Sequence, residues 1–500
     1  MRDIAVVVVL AAIVWLGLAF PLVMPFPETV DWPGHQVRHA LALSLHEDSV
    51  LAGLYAVEWR PIPNLAGDLA MMLLGPIFGV SIAGRLLLAL GMAGWVAAPL
   101  LLQRALFGQT TLWPLVASLF VYNAILYMGF ENFYLTAPLA MAAFAGWVAT
   151  DEEAWNGRRL GLLAVAAQLV WFGHLVVWGV LGLWIGSYEL GRPGADLRTR
   201  LTRTLAAGAM FLPGAVLFVW QQIASPATHG GGTVWAGAGF QKLGLVLSPV
   251  LQYQPNLDLT MLLVVLPLVA TFTLLDGSPR IHRRMQWVVA IMGVVTLLMP
   301  GRLMGVGFMD QRLPAMWLGL LVASTEVTFT KRTVAVGVGA LVGLALVTRI
   351  GTTFQRWSRH SAETAELLTL RDYLEPGQRV LPAGTDRIAH YHTASWLVPE
   401  ARVFLPSLFT GAHLLQVDPA VAPLDHPTPA PPSRETLLEA RNQRGRFAPG
   451  GDPADLVYLT HWWTDFDHLL WLDPGPPPWP LETVAKGSWF TLYRLPPETP

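Results

Sequence analysis

Apolar residues lie along this chain in long unbroken runs, not at the alternating spacing of half-buried soluble elements. The first run extends from Ile4 to about Met24, and others cover roughly 85–106, 110–128, 132–150, 159–174, 175–189, 203–223, 259–276, 286–300, 313–327 and 333–350. A bilayer core is crossed by about 20 apolar residues of helix, so these runs predict about eleven spanning helices. Several runs are short, most clearly the two flanking His174. The stretch 65–84 is apolar as well, but Asp68 and Gly75-Pro76 interrupt it. It predicts an interfacial helix lying on the outer membrane face.

Polar positions between the runs set the expected topology. Arg2 precedes the first run and no basic residue directly follows it, which predicts a cytoplasmic N-terminus and a retained first span. Basic clusters at Arg158-Arg159, at Arg192 to Arg203, at Arg280 to Arg284 and at Lys331-Arg332 are separated by even numbers of runs. All four therefore fit on the cytoplasmic side. The expected organisation is a transmembrane domain over 1–354, its outer loop 25–84 carrying interfacial helices, and an extracytoplasmic domain over 355–500. After Arg349 proline and charge increase, and short runs such as Arg379-Val380-Leu381, Val457-Tyr458-Leu459 and Phe490-Thr491-Leu492-Tyr493 predict strands of a small α/β domain. A Pro-rich segment at 418–433 predicts a mobile connection.

Composition agrees with this reading. Of 500 residues 53% are hydrophobic and only 13% charged, against roughly 25% charged in a soluble domain. The 21 tryptophans suit the headgroup zone. A net charge of −2 with no basic block excludes nucleic-acid binding by charge. The absence of cysteine excludes disulfides, thiolate nucleophiles and Cys-ligated metals. HExxH, Walker A, GxGxxG, GxSxG and EF-hand patterns are missing, which removes support for zinc proteases, ATPases and serine hydrolases.

The candidate chemistry collects in the predicted outer loops. The first holds Asp31, His35, Arg38, His39, Glu58, Arg60 and Asn64; a later one holds Glu131 and Asn132; another holds His229, a glycine triplet, Trp235 and Lys242; and the loop 301–312 holds Arg302, Asp310 and Arg312. Asp31 follows the first span, and Pro33-Gly34 break helix there, leaving the carboxylate at the membrane edge. Such a carboxylate is placed to take a proton from a hydroxyl. The bland alternative makes Asp31 only a helix cap. His35, Arg38 and His39 share one face of a helix starting near Gly34. Arg302 and Arg312 suit a lipid phosphate through bidentate bonds, or anchor spans by snorkelling. Asp310 pairs with one of these arginines on this reading, and His174, a lone histidine between two apolar runs, is more often structural than catalytic in such a setting.

The arrangement resembles the GT-C superfamily of polyprenyl-phosphate-sugar-dependent glycosyltransferases. A first span leads to an acidic outer loop at Asp31 and a membrane-surface helix after Pro63-Asn64, then to a second span entered at Arg85 and left through Gln103-Arg104-Ala105-Leu106-Phe107-Gly108. More narrowly, Asp31, Pro33, His35 and Arg38, with Pro63-Asn64-Leu65-Ala66, are similar to uncharacterised bacterial GT-C-like membrane proteins. The family's frequent second acidic residue is Trp32 here, so Glu58 or Glu131 would supply a second carboxylate. The resemblance implies a polytopic α-helical membrane protein of the bacterial inner membrane. It would be an inverting enzyme that moves a sugar from a polyprenyl-phosphate-linked donor to an envelope glycan, lipid or protein. Asp31 would be the base and Arg302, Arg312 or Arg38 would hold the donor phosphate; a divalent metal is left open. The competing readings are a lipid or solute transporter or flippase, and a non-catalytic envelope-assembly protein.

Overall fold

Residues 2–151, 157–224, 240–246, 248–303, 307–384, 388–410, 413–426, 431–442 and 457–496 are described by a computed structural model. Among them, five helices are long and apolar enough to cross a membrane: Ile4–Val23, Val80–Phe107, Glu131–Ala149, Pro255–Asp276 and Arg332–Asp372. Leu197–Ala209 and Leu212–Ile223 make a sixth if the pair, bent by 54°, is one span. The bend falls where Pro213 cannot continue the hydrogen-bond ladder of the preceding helix. Gly157–Gly173, Leu175–Leu190, Met285–Leu298 and Met309–Ala323 are shorter apolar helices at predicted positions. The first helix leaves Val8 60%, Ile13 58% and Leu16 59% exposed, an apolar surface suited to lipid and not to water. The chain is a polytopic α-helical membrane protein.

Two predicted segments take other forms. The run 110–128 is no straight span: Trp113–Phe120 is 3-10 helix and Ala124–Tyr127 is a single helical turn. Asn123 stops and restarts the helix, because its Oδ1 accepts from Leu126 N at 3.0 Å while its Nδ2 donates to Phe120 O at 2.7 Å. The stretch 65–84 holds one helix, Ala66–Phe78, ended by Gly79 at φ +75°, after which Val80–Phe107 begins. The second span thus starts ahead of Arg85.

The chain divides into two compact units. One, the membrane unit, comprises Met1–Val23, Pro61–Gly67 and Arg85–Phe354; the other, the α/β unit, comprises Met24–Arg60, Asp68–Gly84 and Gln355–Pro500. The α/β unit has a four-stranded sheet in the order Val380–Ala383, His468–Trp471, Thr491–Arg494, Glu482–Lys486. Its first pair is parallel and the others antiparallel, and the strands Val380–Ala383 and His468–Trp471 are buried throughout. Val457-Tyr458-Leu459, read as a strand from its residues, is 3-10 helix instead. Tyr55–Val57 pairs antiparallel with Leu415–Val417, so part of the first loop is built into this unit. Part of the Pro-rich segment, 427–430, lies outside the described residues, as do His229, the glycine triplet and Trp235.

Within the membrane unit the basic clusters do more than mark topology. Arg159, Arg192, Arg203 and Arg284 converge on Asp151, and Arg203 Nε lies 2.9 Å from Glu189 Oε2. Glu189 is fully buried and also accepts from Trp147 Nε1 at 3.1 Å. Removing one partner of a buried ionic group costs about 3–5 kcal/mol, since the remaining charge stays desolvated. Glu189→Ala is therefore expected to lower the thermal unfolding midpoint of detergent-solubilised protein clearly. An unchanged midpoint would show that the network does not hold these helices together.

Candidate active site

In the α/β unit, helix Trp32–Ser44 opens immediately after Asp31. Asp31 occupies the N-cap position, yet its side chain makes no capping hydrogen bond. The carboxylate is half-buried, 16% exposed, with Oδ1 3.7 Å from His392 Nδ1. Burial pushes the His392 imidazole down to about 4, so the ring beside Asp31 is neutral at pH 7. Phe409 stacks on both His35 and His392, with centroid distances of 5.5 and 6.1 Å. Gly34 permits this approach: a Cβ there would meet the Phe409 ring at 3.1 Å.

The other residues of that helix face serve a different purpose from the expected anion clamp. Arg38 donates through Nε and Nη2 to the Asp68 carboxylate at 2.7 and 2.9 Å, and His39 Nε2 lies 3.4 Å from the same carboxylate. Both members of the Arg38–Asp68 pair are about 2% exposed. Burial works to raise the Asp68 carboxyl, and the Arg38 guanidinium overrides it, holding the group well below the usual carboxylate range. Arg38 is thus committed within the protein. Glu58 and Arg60 stand 4.0 Å apart near the end of strand Tyr55–Val57, both more than a third exposed, and Arg60 Nη2 donates to His413 O at 3.0 Å. A surface pair of this kind contributes little.

A second polar group lies in the membrane unit. Asn64 takes the left-handed conformation, φ 66°, which asparagine tolerates. Its Oδ1 accepts from Leu175 N at 3.2 Å, and its carbonyl accepts from Asn132 Nδ2 at 2.6 Å. Asn132 Oδ1 in turn accepts from Gly67 N at 2.8 Å. The two asparagines therefore fasten loop backbone between helices. Glu131, 2% exposed, opens helix Glu131–Ala149, where the helix dipole favours a carboxylate. It lies against Gly67, where a Cβ would come within 2.9 Å of its Oε1.

Arg312 is buried, with its guanidinium 3.9 Å from the centre of the Phe130 ring and Nη2 donating to Gly307 O at 3.4 Å. Nη1 is 3.2 Å from His174 Nε2, and Val176 N is 3.2 Å from His174 Nδ1. A neutral imidazole has one bare nitrogen, so His174 accepts from only one of these donors at a time. His174 thus caps helix Leu175–Leu190 or receives Arg312. Phe308, just before helix Met309–Ala323, has φ 57°, a strained value for an aromatic residue. Asp310 pairs with Lys242 at 2.8 Å, not with an arginine as expected from sequence, and Arg302 is exposed.

Sequence reasoning missed Asp68 as a partner, together with His392, Phe409 and His413. The repeated histidines of His390-Tyr391-His392 were the available signal, but they stand more than 350 residues from Asp31, and no local spacing links them.

Comparison with solved structures gives the architecture a precedent. The fold is shared with ArnT. Two crystal structures of ArnT from Cupriavidus metallidurans, one in the apo state and one bound to undecaprenyl phosphate, superpose with TM-scores of 0.52 and 0.53, covering 98% of this chain and 97% of theirs. Sequence identity is 14% in both, so the likeness concerns the fold. The polytopic helical membrane fold expected from the sequence is the fold these structures share. No family model matches the chain, and no curated protein does.

Two outcomes follow from this electrostatic arrangement. Asp68→Ala leaves Arg38 charged and buried and is expected to cost about 3–5 kcal/mol, whereas the double change Arg38→Met, Asp68→Leu is expected to restore most of that loss. Thermal or denaturant unfolding of the three proteins compares them directly. The second outcome concerns pH. Burial depresses His35, His392 (to about 4) and His413 (to about 3) below their ordinary value of 6.5. The stability they contribute is complete above pH 6.5 and is lost progressively as the pH falls through the folded values. Asp425, raised by burial to about 6, opposes this, its contribution being present below 3.8 and lost as pH rises through 6. Three groups outweigh one, so melting followed by tryptophan fluorescence should occur at lower temperature at pH 5 than at pH 7.5. His392→Asn should shrink the difference, and equal melting at both values would contradict the assignment.

Proposed function

We propose that the protein is an inner-membrane glycosyltransferase that moves a sugar from an undecaprenyl-phosphate-type donor to an acceptor outside the cytoplasm, with inversion at the sugar. The observation that carries this reading is the fold shared over 98% of the chain with ArnT, a protein solved with undecaprenyl phosphate bound. Support from the residues comes first from Asp31, a half-buried carboxylate that does not cap its helix and lies beside a neutral imidazole.

In the proposed reaction Asp31 accepts the proton of the acceptor hydroxyl as its oxygen attacks the anomeric carbon. The bond from that carbon to the phosphate oxygen breaks on the opposite side, and the polyprenyl phosphate leaves with the electron pair. A single displacement of this kind inverts the centre. His392, lacking charge at neutral pH, positions Asp31 without neutralising it. Arg312 is the proposed phosphate ligand, because its planar fork suits the oxygens of the donor's phosphodiester and of the monoester that leaves, and it already lies among aromatic rings. Arg302 remains the secondary candidate. Glu131, buried at the head of its helix, is the proposed second carboxylate.

Purified protein in liposomes, given a panel of undecaprenyl-phosphate sugars and envelope acceptors, tests the proposal through release of undecaprenyl phosphate and labelling of an acceptor. Asp31→Asn should reduce turnover at least about 100-fold with donor affinity and melting temperature retained. Arg312→Ala should weaken undecaprenyl phosphate binding, read by native mass spectrometry, by about 10-fold or more. Sugar-lipid movement across the bilayer without release of undecaprenyl phosphate would identify a flippase, and full turnover by Asp31→Asn would end the assignment of the base.

A further inference from the structure

The α/β unit contains a set of donors that the proposed transfer chemistry does not use. His360 and Glu363 are one turn apart near the end of helix Arg332–Leu367, and His390 belongs to helix Ile388–Thr393. One ligand atom from each lies within 4.8 Å of the others. His360 and His390 are 1% and 4% exposed, and His390 Nε2 is 2.9 Å from Glu363 Oε2.

The surrounding bonds prepare His360 as a ligand. Thr393 Oγ1 gives its single proton to Ala389 O at 2.7 Å, so at 3.1 Å from His360 Nε2 it accepts. The proton of a neutral His360 is thereby held on Nε2, and Nδ1 is left bare. Nδ1 is buried and has no hydrogen-bond partner among the described residues. An orphaned buried nitrogen is costly unless something occupies it. The Trp489 ring packs on His390 at 4.3 Å and its Nε1 donates to the main-chain O of Glu363 at 3.1 Å. His390 also lines a cavity of about 500 Å³ bounded by Asp473, Lys486 and Trp489.

We propose that His360, Glu363 and His390 form a zinc site that ties the end of the long helix to helix Ile388–Thr393, with a fourth position open to this cavity. Two imidazoles and one carboxylate are borderline donors that suit Zn²⁺, while Mg²⁺ and Ca²⁺ require mainly oxygen. Metal–ligand bonds of roughly 2.1 Å place tetrahedral donors about 3.4 Å apart, so binding needs side-chain movements of about an ångström and no backbone change. The ion would give a cysteine-free unit the cross-link that disulfides supply elsewhere. One carboxylate leaves the occupied site with a net positive charge, so water, hydroxide or a phosphate group would complete it from the cavity.

The full-length protein in detergent, with any tag removed and stripped by chelator, tests this by Zn²⁺ titration, elemental analysis after dialysis, and visible absorption with Co²⁺. The expected result is about one equivalent retained, a tetrahedral Co²⁺ spectrum and a melting temperature raised by Zn²⁺. Glu363→Gln, nearly isosteric, and His390→Ala should each weaken binding at least about 10-fold and abolish the spectrum. His46→Ala, at an exposed imidazole, should bind like the unaltered protein. Failure of the folded, unaltered protein to retain Zn²⁺, or full binding by Glu363→Gln, would overturn the proposal and leave a hydrogen-bonded triad.

Discussion

A charge removed from water has to be neutralised where it lies, and the Arg38–Asp68 pair meets that requirement at the start of the α/β unit. The pair joins helix Trp32–Ser44 to helix Ala66–Phe78, and both ends are nearly inaccessible. An unpaired Asp68 would be too costly to bury, and an unpaired Arg38 likewise, so the two helices are held in one register. Asp31 begins the first of these helices, with its carboxylate 3.7 Å from His392 Nδ1.

The same rule operates in the membrane unit with more members. Asp151 and Glu189 gather Arg159, Arg192, Arg203 and Arg284 from four separate positions in the chain. Arginines that the sequence reads as topology signals thus serve as packing elements in the folded protein. Apolar association gives little specificity between helices surrounded by lipid, so polar and ionic contacts of this kind carry much of the selection among packings.

Asn64, Asn132, Glu131 and Arg312 show buried polar groups of different mobility side by side. The asparagines bond loop backbone at 2.6–3.2 Å and have little freedom to reorient. Arg312 rests against an aromatic ring and shares His174 with a helix N-terminus, an arrangement with an alternative hydrogen-bond state built in. Fixed asparagines thus surround a cation whose hydrogen-bond partner can change.

By itself, the sequence determined the membrane class, since runs of about 20 apolar residues have no other solvent in which to be stable. It also singled out Asp31 as a candidate, because a carboxylate directly after a span and before Pro33-Gly34 is anomalous on local grounds alone. It misjudged 110–128, where Asn123 interrupts the helix through side-chain bonds that hydropathy does not register. Only the tertiary structure assigned partners: Arg38 to Asp68 across 30 positions, Asp310 to Lys242 across 68, and Asp31 to a histidine at 392. The physical reason is that burial and transfer cost act on each residue singly and leave a mark in its neighbourhood. Pairing acts between residues whose proximity is created by folding, and nothing in their separation along the chain encodes it.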